Sequence, residues 1–262
     1  MHTESFIDQT GHRIHLAHPP QTIISLVPSQ TELLYHLGLE SAVAGITRYC
    51  VHPTHWKSRK RIVGGTKNFD FAAIDKLAPD LILGNKEENY REGIETLRQK
   101  YPVWLSDILT FPQALEMIRA VGALTGKQPV AEEIIDEING AFGAIKKIPP
   151  QKVLYLIWRK PWMGAGSNTF IHSILEMIGF RNCVRERQRY PELTDDMIRS
   201  LKPDVILLSS EPYPFRQKHV DEMKLLSPTS KIYLVDGEMF SWYGSRLRLA
   251  PAYFNSLPLA TP

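Results

Sequence analysis

Residues 70–83 read DFAAIDKLAPDLIL, and residues 194–207 read TDDMIRSLKPDVIL. In register, Ile74 falls on Ile198, Leu77 on Leu201, Pro79-Asp80 on Pro203-Asp204, and Ile82-Leu83 on Ile206-Leu207. Each copy reads as a helix, a Pro-Asp turn and a buried strand. A chain that writes one such unit twice, far apart, predicts two similar lobes. Two lobes predict a cleft between them, and a cleft is where a ligand sits.

The flanking sequence matches in the same order. The first half opens with the β-branched run TIISLV (22–27), then Pro28 and the S-x-x-E pair Ser29 and Glu32, which reads as a capping box. Leu33, Leu34 and Leu37 follow and run into Gly38, a strand–turn–helix stopped by glycine. The second half opens with KVLYLIW (152–158), a turn holding Gly164 and Gly166, and the helix TFIHSILEMIGF stopped at Gly179. VWLSD (103–107) corresponds to IYLVD (232–236). Strands buried on both faces and alternating with helices predict an α/β fold with parallel sheets. Between the halves, Phe111, Leu115, Ile118 and Gly122 recur at helical spacing, and Gly126 to Pro129 interrupts. Ile134, Ile138, Ala141, Phe142 and Ile145 then mark a second helix, which Pro149-Pro150 ends. That predicts a connecting helix of about five turns, roughly 25 Å long. The expected divisions are an N-terminal lobe (1–108), a helical linker (109–150) and a C-terminal lobe (151–262).

Composition narrows the function. A net charge of +3 with no basic block beyond Ser58-Arg59-Lys60-Arg61 argues against nucleic acid. No apolar run nears the roughly 18 residues of a membrane span. The start, MHTESFIDQTGHRIHL, has no basic region followed by an apolar stretch. It therefore reads as a cytoplasmic chain, or as a periplasmic or cell-surface one whose signal has been removed. Cys50 and Cys183 read as ordinary thiols. There is no G-x-S-x-G elbow, Walker motif or metalloprotease motif, and Gly164 to Asn168 lacks phosphate-loop spacing. The chain is expected not to be an enzyme.

In parallel α/β sheets, ligands collect at the carboxyl ends of strands. Pro28 and Ser29 stand at such an end, as do Lys86 and Glu87. Trp158, Arg159 and Trp162 follow a strand, Tyr190 precedes the second repeat, and Glu238, Phe240, Trp242 and Tyr243 follow the last strand. Aromatic faces interleaved with charges suit a flat ligand with a polar rim. His12, His15, His18, His52 and His55 form no recognised ligand pattern, so no metal site and no intrinsic cofactor are assigned.

The ordered set SLVPSQTELLYHLGL (25–39), TRYCVHP (47–53) and VGGTKNFDFAAIDKLAPDLIL (63–83) resembles the cobalamin-type substrate-binding proteins of ABC importers. That helical-backbone receptor superfamily also holds ferric-siderophore and haem binders. The resemblance covers about residues 12–258. It implies two Rossmann-like lobes joined by one long backbone helix, little closure, and a metal chelate held in the cleft, with cobalamin or another corrinoid favoured. Tyr49 takes the place of a ligand-stacking aromatic, while Thr66 and Asn85 stand where cobalamin binders can place tryptophans. The resemblance implies one transporter-docking carboxylate per lobe. The matching positions are Ala72 and Asp196, so one lobe keeps the acid and the other does not. The partners implied are the small-molecule ligand and an ABC-transporter permease, and the chain is expected to be a monomer. Ferric-siderophore or haem binding remains open, as does a cytosolic corrinoid-handling or enzymatic protein on the same scaffold.

Overall fold

The structure, a computed structural model, describes residues 4–146 and 148–258. The chain divides into two compact units: Met1–Ile108 with Pro112–Asn139 and Tyr243–Arg246, and Leu109–Phe111 with Gly140–Trp242 and Leu247–Pro262.

The first unit begins with a hairpin, β1 (Glu4–Ile7) and β2 (Arg13–Leu16), followed by β3 (Ile23–Ser25), α1 (Pro28–His36) and β4 (Val43–Ile46). Short elements come next: α2 (Trp56–Arg59), β5 (Arg61–Ile62), β6 (Gly64–Gly65) and β7 (Asn68–Phe69). Then follow α3 (Phe71–Leu77), β8 (Leu81–Asn85), α4 (Arg91–Arg98) and β9 (Val103–Ser106). The five-stranded sheet has the order β5-β4-β3-β8-β9 and is parallel throughout. Strand order reverses at β3, so the start of α1 lies at the switch point where such sheets bind ligands. Ile24, Leu26, Ile74, Ile82, Leu97 and Val103 pack into the core between sheet and helices.

Two helices continue the chain, α5 (Phe111–Leu124) and α6 (Gln128–Gly143). α6 has 16 residues, about 4.4 turns or 24 Å. It starts before the Pro129 that the sequence reading placed in the break, because proline is tolerated in a first helical turn.

The second unit holds β10 (Lys152–Trp158), β11 (Trp162–Gly164), α7 (Phe170–Ile178), β12 (Arg181–Asn182), β13 (Glu192–Leu193), α8 (Asp195–Leu201) and β14 (Val205–Ser209). α9 (Gln217–Leu226), β15 (Lys231–Val235), α10 (Glu238–Ser241), a 3-10 turn (Ser245–Arg248) and α11 (Ala250–Ser256) complete the chain. β12, β10, β14 and β15 are parallel. The sheet is not purely parallel, because β10 turns directly into antiparallel β11, which pairs antiparallel with β13. The segment 158–162 is therefore a hairpin turn.

The two copies of the repeat fold alike in detail. Asp70 caps α3 through the Ala73 N–H (3.0 Å), and Thr194 caps α8 through the Met197 N–H (3.2 Å). The Asp80 carboxylate accepts from the Gln21 and Thr22 N–H groups, and Asp204 accepts from the Lys152 N–H at 2.7 Å. The aspartate of each Pro-Asp turn thus ties its strand to the start of the neighbouring one. Both helices end in a left-handed non-glycine residue, Ala78 and Lys202, each at φ 45°, ψ 61°. A side chain costs energy there, so Ala78→Gly and Lys202→Gly are each expected to stabilise by about 0.5–1 kcal/mol. A rise in the urea midpoint at unchanged m-value checks it.

The expected capping box does not form. Val27 is the N-cap of α1 and has no side-chain bond, and Ser29 lies inside the helix. Glu32 is instead committed to Arg246, in a buried bidentate pair at 2.9 and 2.8 Å. Beside it, Ser245 Oγ lies 2.8 Å from His36 Nδ1. A β-carbon on Gly244 would meet the Ser29 carbonyl at 2.6 Å, so that position admits only glycine's bare backbone. The segment Tyr243–Arg246, distant in sequence, is thereby built into the first unit.

Candidate functional site

In the first unit, the carboxyl ends of β3, β4 and β8 carry the candidate residues. Pro28 opens α1, and Ser29 is 3% exposed, beside the Tyr243 phenol. Tyr243 donates to Glu88 Oε1 at 2.6 Å, and burial followed by the Glu88 charge pushes its phenol far above the usual range. Tyr49 is 57% exposed. Its ring lies against Gly65, where a β-carbon would approach Cε2 to 3.1 Å, so glycine lets the hairpin β6–β7 back the ring. Lys86 reaches Asp107 at 2.5 Å. Glu87 follows Asn85, whose Oδ1 accepts the Glu87 and Glu88 N–H groups at 2.8 and 3.0 Å. Asn85 itself is buried, with its amide on Ser106 Oγ (3.0 Å), and Gln30 joins the same hydroxyl at 2.7 Å. Asn85 thus organises the loop that carries Glu87 and Glu88.

In the second unit, Trp158 ends β10 with 39% exposure. The Tyr213 ring forms a T-shaped pair with it, with centroids 5.6 Å apart at 67°. Arg159 stacks over Trp162 at 4.2 Å and is held by Glu222 through Nε and Nη2. That pair keeps the Glu222 carboxyl below the usual carboxylate range. Tyr190 is partly exposed, with the Arg189 guanidinium 5.8 Å from its ring centre. The Glu238 N–H donates to Asp236 Oδ1 at the start of α10. Glu211 accepts from Ser241 Oγ (2.7 Å) and Trp242 Nε1 (2.9 Å) on one oxygen.

Several residues singled out from sequence serve the core instead. Phe240 is fully buried, with ring centroids 5.1 Å from Tyr155 and 4.9 Å from Phe254, and leaves no face for a ligand. Trp162 is 4% exposed, stacked on Phe215 and bonded to Asp195. Short α10 turns Phe240 inward, and the β10–β11 hairpin does the same to Trp162. Trp242 and Tyr243 are buried too, and brace loops through Glu211 and Glu88. Tyr213 and Glu222 were missed. The one available signal was Tyr213 lying between two prolines just past a strand end. Asp196 is 93% exposed and pairs with Arg199 at 2.6 Å, and Ala72 is exposed at the matching turn of α3. Among the described residues, no cluster of three His, Cys, Asp or Glu side chains is placed to hold a metal ion. Likewise, no helix is long and apolar enough to cross a membrane.

Burial, more than the nearby Glu238 and Asp236 charges, raises the Glu211 carboxyl above its ordinary 4.5. A raised acid leaves stability intact below 4.5 and loses it as pH climbs through the folded value. Glu211→Gln keeps an acceptor for Ser241 and Trp242 without the charge. The variant is expected to match the native chain in urea unfolding below 4.5 and to exceed it increasingly towards neutral pH.

Comparison with known proteins places the chain. An uncharacterized ABC transporter substrate-binding lipoprotein of Bacillus subtilis is 23% identical over 255 residues, covering 92% of this chain and 80% of the relative. A cobalamin-binding protein of Halobacterium salinarum is 25% identical over 217 residues, 76% of this chain and 57% of the relative's length. Among solved structures, the periplasmic vitamin B12-binding protein of Vibrio cholerae superimposes with a TM-score of 0.75 at 18% identity, covering 91% of this chain and 96% of that one. A periplasmic heme-binding protein from Roseiflexus gives 0.77 at 19% identity, with 90% and 98% covered. These structures share the fold. Residues 23–229 match the sequence profile of a single family, and the chain belongs to it: the periplasmic binding proteins.

Proposed function

We propose that this chain is the substrate-binding protein of an ABC importer and captures a flat metal chelate, a corrinoid first among them. One observation carries the reading. Each unit presents an exposed aromatic at the carboxyl end of a parallel strand, Tyr49 after β4 and Trp158 at the end of β10. Each is braced from behind, Tyr49 by Gly65 and Trp158 by Tyr213. Such rings bind flat faces, and a family of solute-binding proteins supplies the context. Pro28, Lys86, Glu87, Tyr190 and Glu238 would supply rim contacts in this reading, whereas Ser29 is 3% exposed and Arg159 is held by Glu222. Exposed Asp196 would meet the permease, with Ala72 leaving the equivalent contact in the first unit unmade. The named relatives give no support to a transporter-free protein.

A second reading rests on charge. Arg48 precedes Tyr49 and Lys160 lies two residues after Trp158, both exposed, which suits a chelate bearing carboxylates such as haem or a ferric siderophore. Calorimetry and visible absorbance with hydroxocobalamin, hemin and a ferric catecholate separate the two. The corrinoid reading expects hydroxocobalamin to bind at micromolar concentration or tighter, with Tyr49→Ala and Trp158→Ala each weakening it about tenfold. Hemin or catecholate binding without hydroxocobalamin transfers the assignment to the second reading, and no binding by any of the three sinks both.

A further inference from the structure

The loop from Ser210 to Arg216 carries a set of contacts behind Trp158. Tyr213 makes a T-shaped contact with Trp158, and its phenol oxygen lies 3.1 Å from His219 Nε2. His219 is 5% exposed on the first turn of α9, and its Nδ1 accepts the Arg216 N–H at 2.9 Å. That bond fixes the tautomer. A neutral ring with an accepting Nδ1 carries its proton on Nε2, which then donates to Tyr213. Phe215 completes the wedge, at 88° to His219 and 62° to Tyr213.

We propose that Tyr213 and His219 are positioning residues: neutral His219 is the strut that holds Tyr213 in its T-shaped contact with Trp158, and so fixes the aromatic face Trp158 offers. The inference rests on the reading of Trp158 as a ligand face. Protonation would put a donor on Nδ1 facing the Arg216 N–H, which breaks the first-turn bond of α9 and frees the ring that anchors Tyr213. The charged groups around His219 are Lys218 and Glu222 on its own helix and Arg159 from the β10–β11 turn, itself paired with Glu222. Burial, then Lys218, holds the imidazole below its ordinary 6.5, so the strut is set at neutral pH and loosens in acid.

The test uses the whole chain labelled with 5-fluorotryptophan, its Trp158 resonance assigned by Trp158→Phe. The fluorine shift of Trp158 is expected to follow a one-proton titration with its midpoint below 6.5. His219→Asn offers an oxygen to the Arg216 N–H without titrating, and should fold and leave the Trp158 shift flat. Tyr213→Phe keeps the ring but cuts the link, and should remove most of the titration. Glu211→Gln, a control for the half-buried acid in this loop, should leave it intact. A Trp158 shift that is flat in the native chain from about pH 8 to pH 5, or that titrates unchanged in Tyr213→Phe, overturns the inference. This readout needs no ligand, so its failure is distinct from failure of the chelate assays above. Where hydroxocobalamin or hemin binds, affinity should fall at least fivefold on acidification in the native chain and stay level in His219→Asn. Equal losses in both would overturn the positioning role.

Discussion

Replacing Arg246 by alanine is expected to lower the unfolding free energy by about 3–5 kcal/mol, a large share of the roughly 5–15 kcal/mol of a typical domain. The guanidinium and the Glu32 carboxylate are 9% and 8% exposed, and they meet through two parallel bonds at 2.9 and 2.8 Å. Neither charge has water to return to while the segment stays packed. Removing one partner strands the other in a medium that solvates it poorly. Glu32→Ala should also destabilise, because it takes away the bidentate carboxylate partner of the buried guanidinium. The double variant Glu32→Leu with Arg246→Met should recover most of the loss, because a packed apolar pair of similar volume does not need desolvated charges. Urea unfolding of the four proteins closes a double-mutant cycle. Single losses below about 1 kcal/mol would show that the pair behaves as a surface bridge. The result also tests whether this pair fastens Tyr243–Arg246 to α1, where Tyr243 and Ser245 add their bonds to Glu88 and His36.

That pair was illegible in the sequence, and the reason is physical. Glu32 and Arg246 stand 214 residues apart, and such a contact leaves no periodic trace. Glu32 three residues after Ser29 reads as a capping box, a local solution that the long-range partner displaced. The repeat was legible because its signals are local: helical spacing, a Pro-Asp turn, then a β-branched run. Even the tethering role of Asp80 and Asp204 lay within the copied letters. The candidate site was half legible. A strand end singled out Trp158, since carboxyl-end loops follow from parallel topology, whereas Tyr49 was singled out by the family resemblance alone. Whether an aromatic in such a loop points out or in depends on the next element, and α10 and β11 turned Phe240 and Trp162 inward. Arg159 looked like a rim charge, but its partner Glu222 comes from α9, 63 residues on.

Asp8→Ala is expected to cost about 3–5 kcal/mol as well, although nothing in the N-terminal sequence marks that aspartate as important. Its side chain has no exposure. One oxygen accepts the Thr10 N–H (2.8 Å), the Thr10 hydroxyl (2.7 Å) and the His12 N–H (2.8 Å). The other accepts Arg98 Nη2 at 2.8 Å and the Leu105 N–H at 3.2 Å. The carboxylate thus folds the β1–β2 loop and docks it on β9, where the Gln9 N–H also reaches the Leu105 carbonyl at 3.1 Å. β9 is an edge strand of its sheet, and the docked loop occupies backbone groups that would otherwise stand open to another chain. Truncation leaves buried donors unpaired and takes from Arg98, 15% exposed, its fully buried carboxylate, leaving it the exposed Glu95 at 3.2 Å. Asp8→Asn discriminates the mechanism. It keeps an acceptor for the loop but turns an amide donor towards Arg98 and Leu105, so it should rescue little. Urea unfolding gives the cost, and amide exchange at Leu105 locates it, with protection expected to fall in both variants. If Asp8→Asn is as stable as the native chain and Leu105 stays protected, the charge-assisted bonds to Arg98 and Leu105 are not what holds the loop to the sheet.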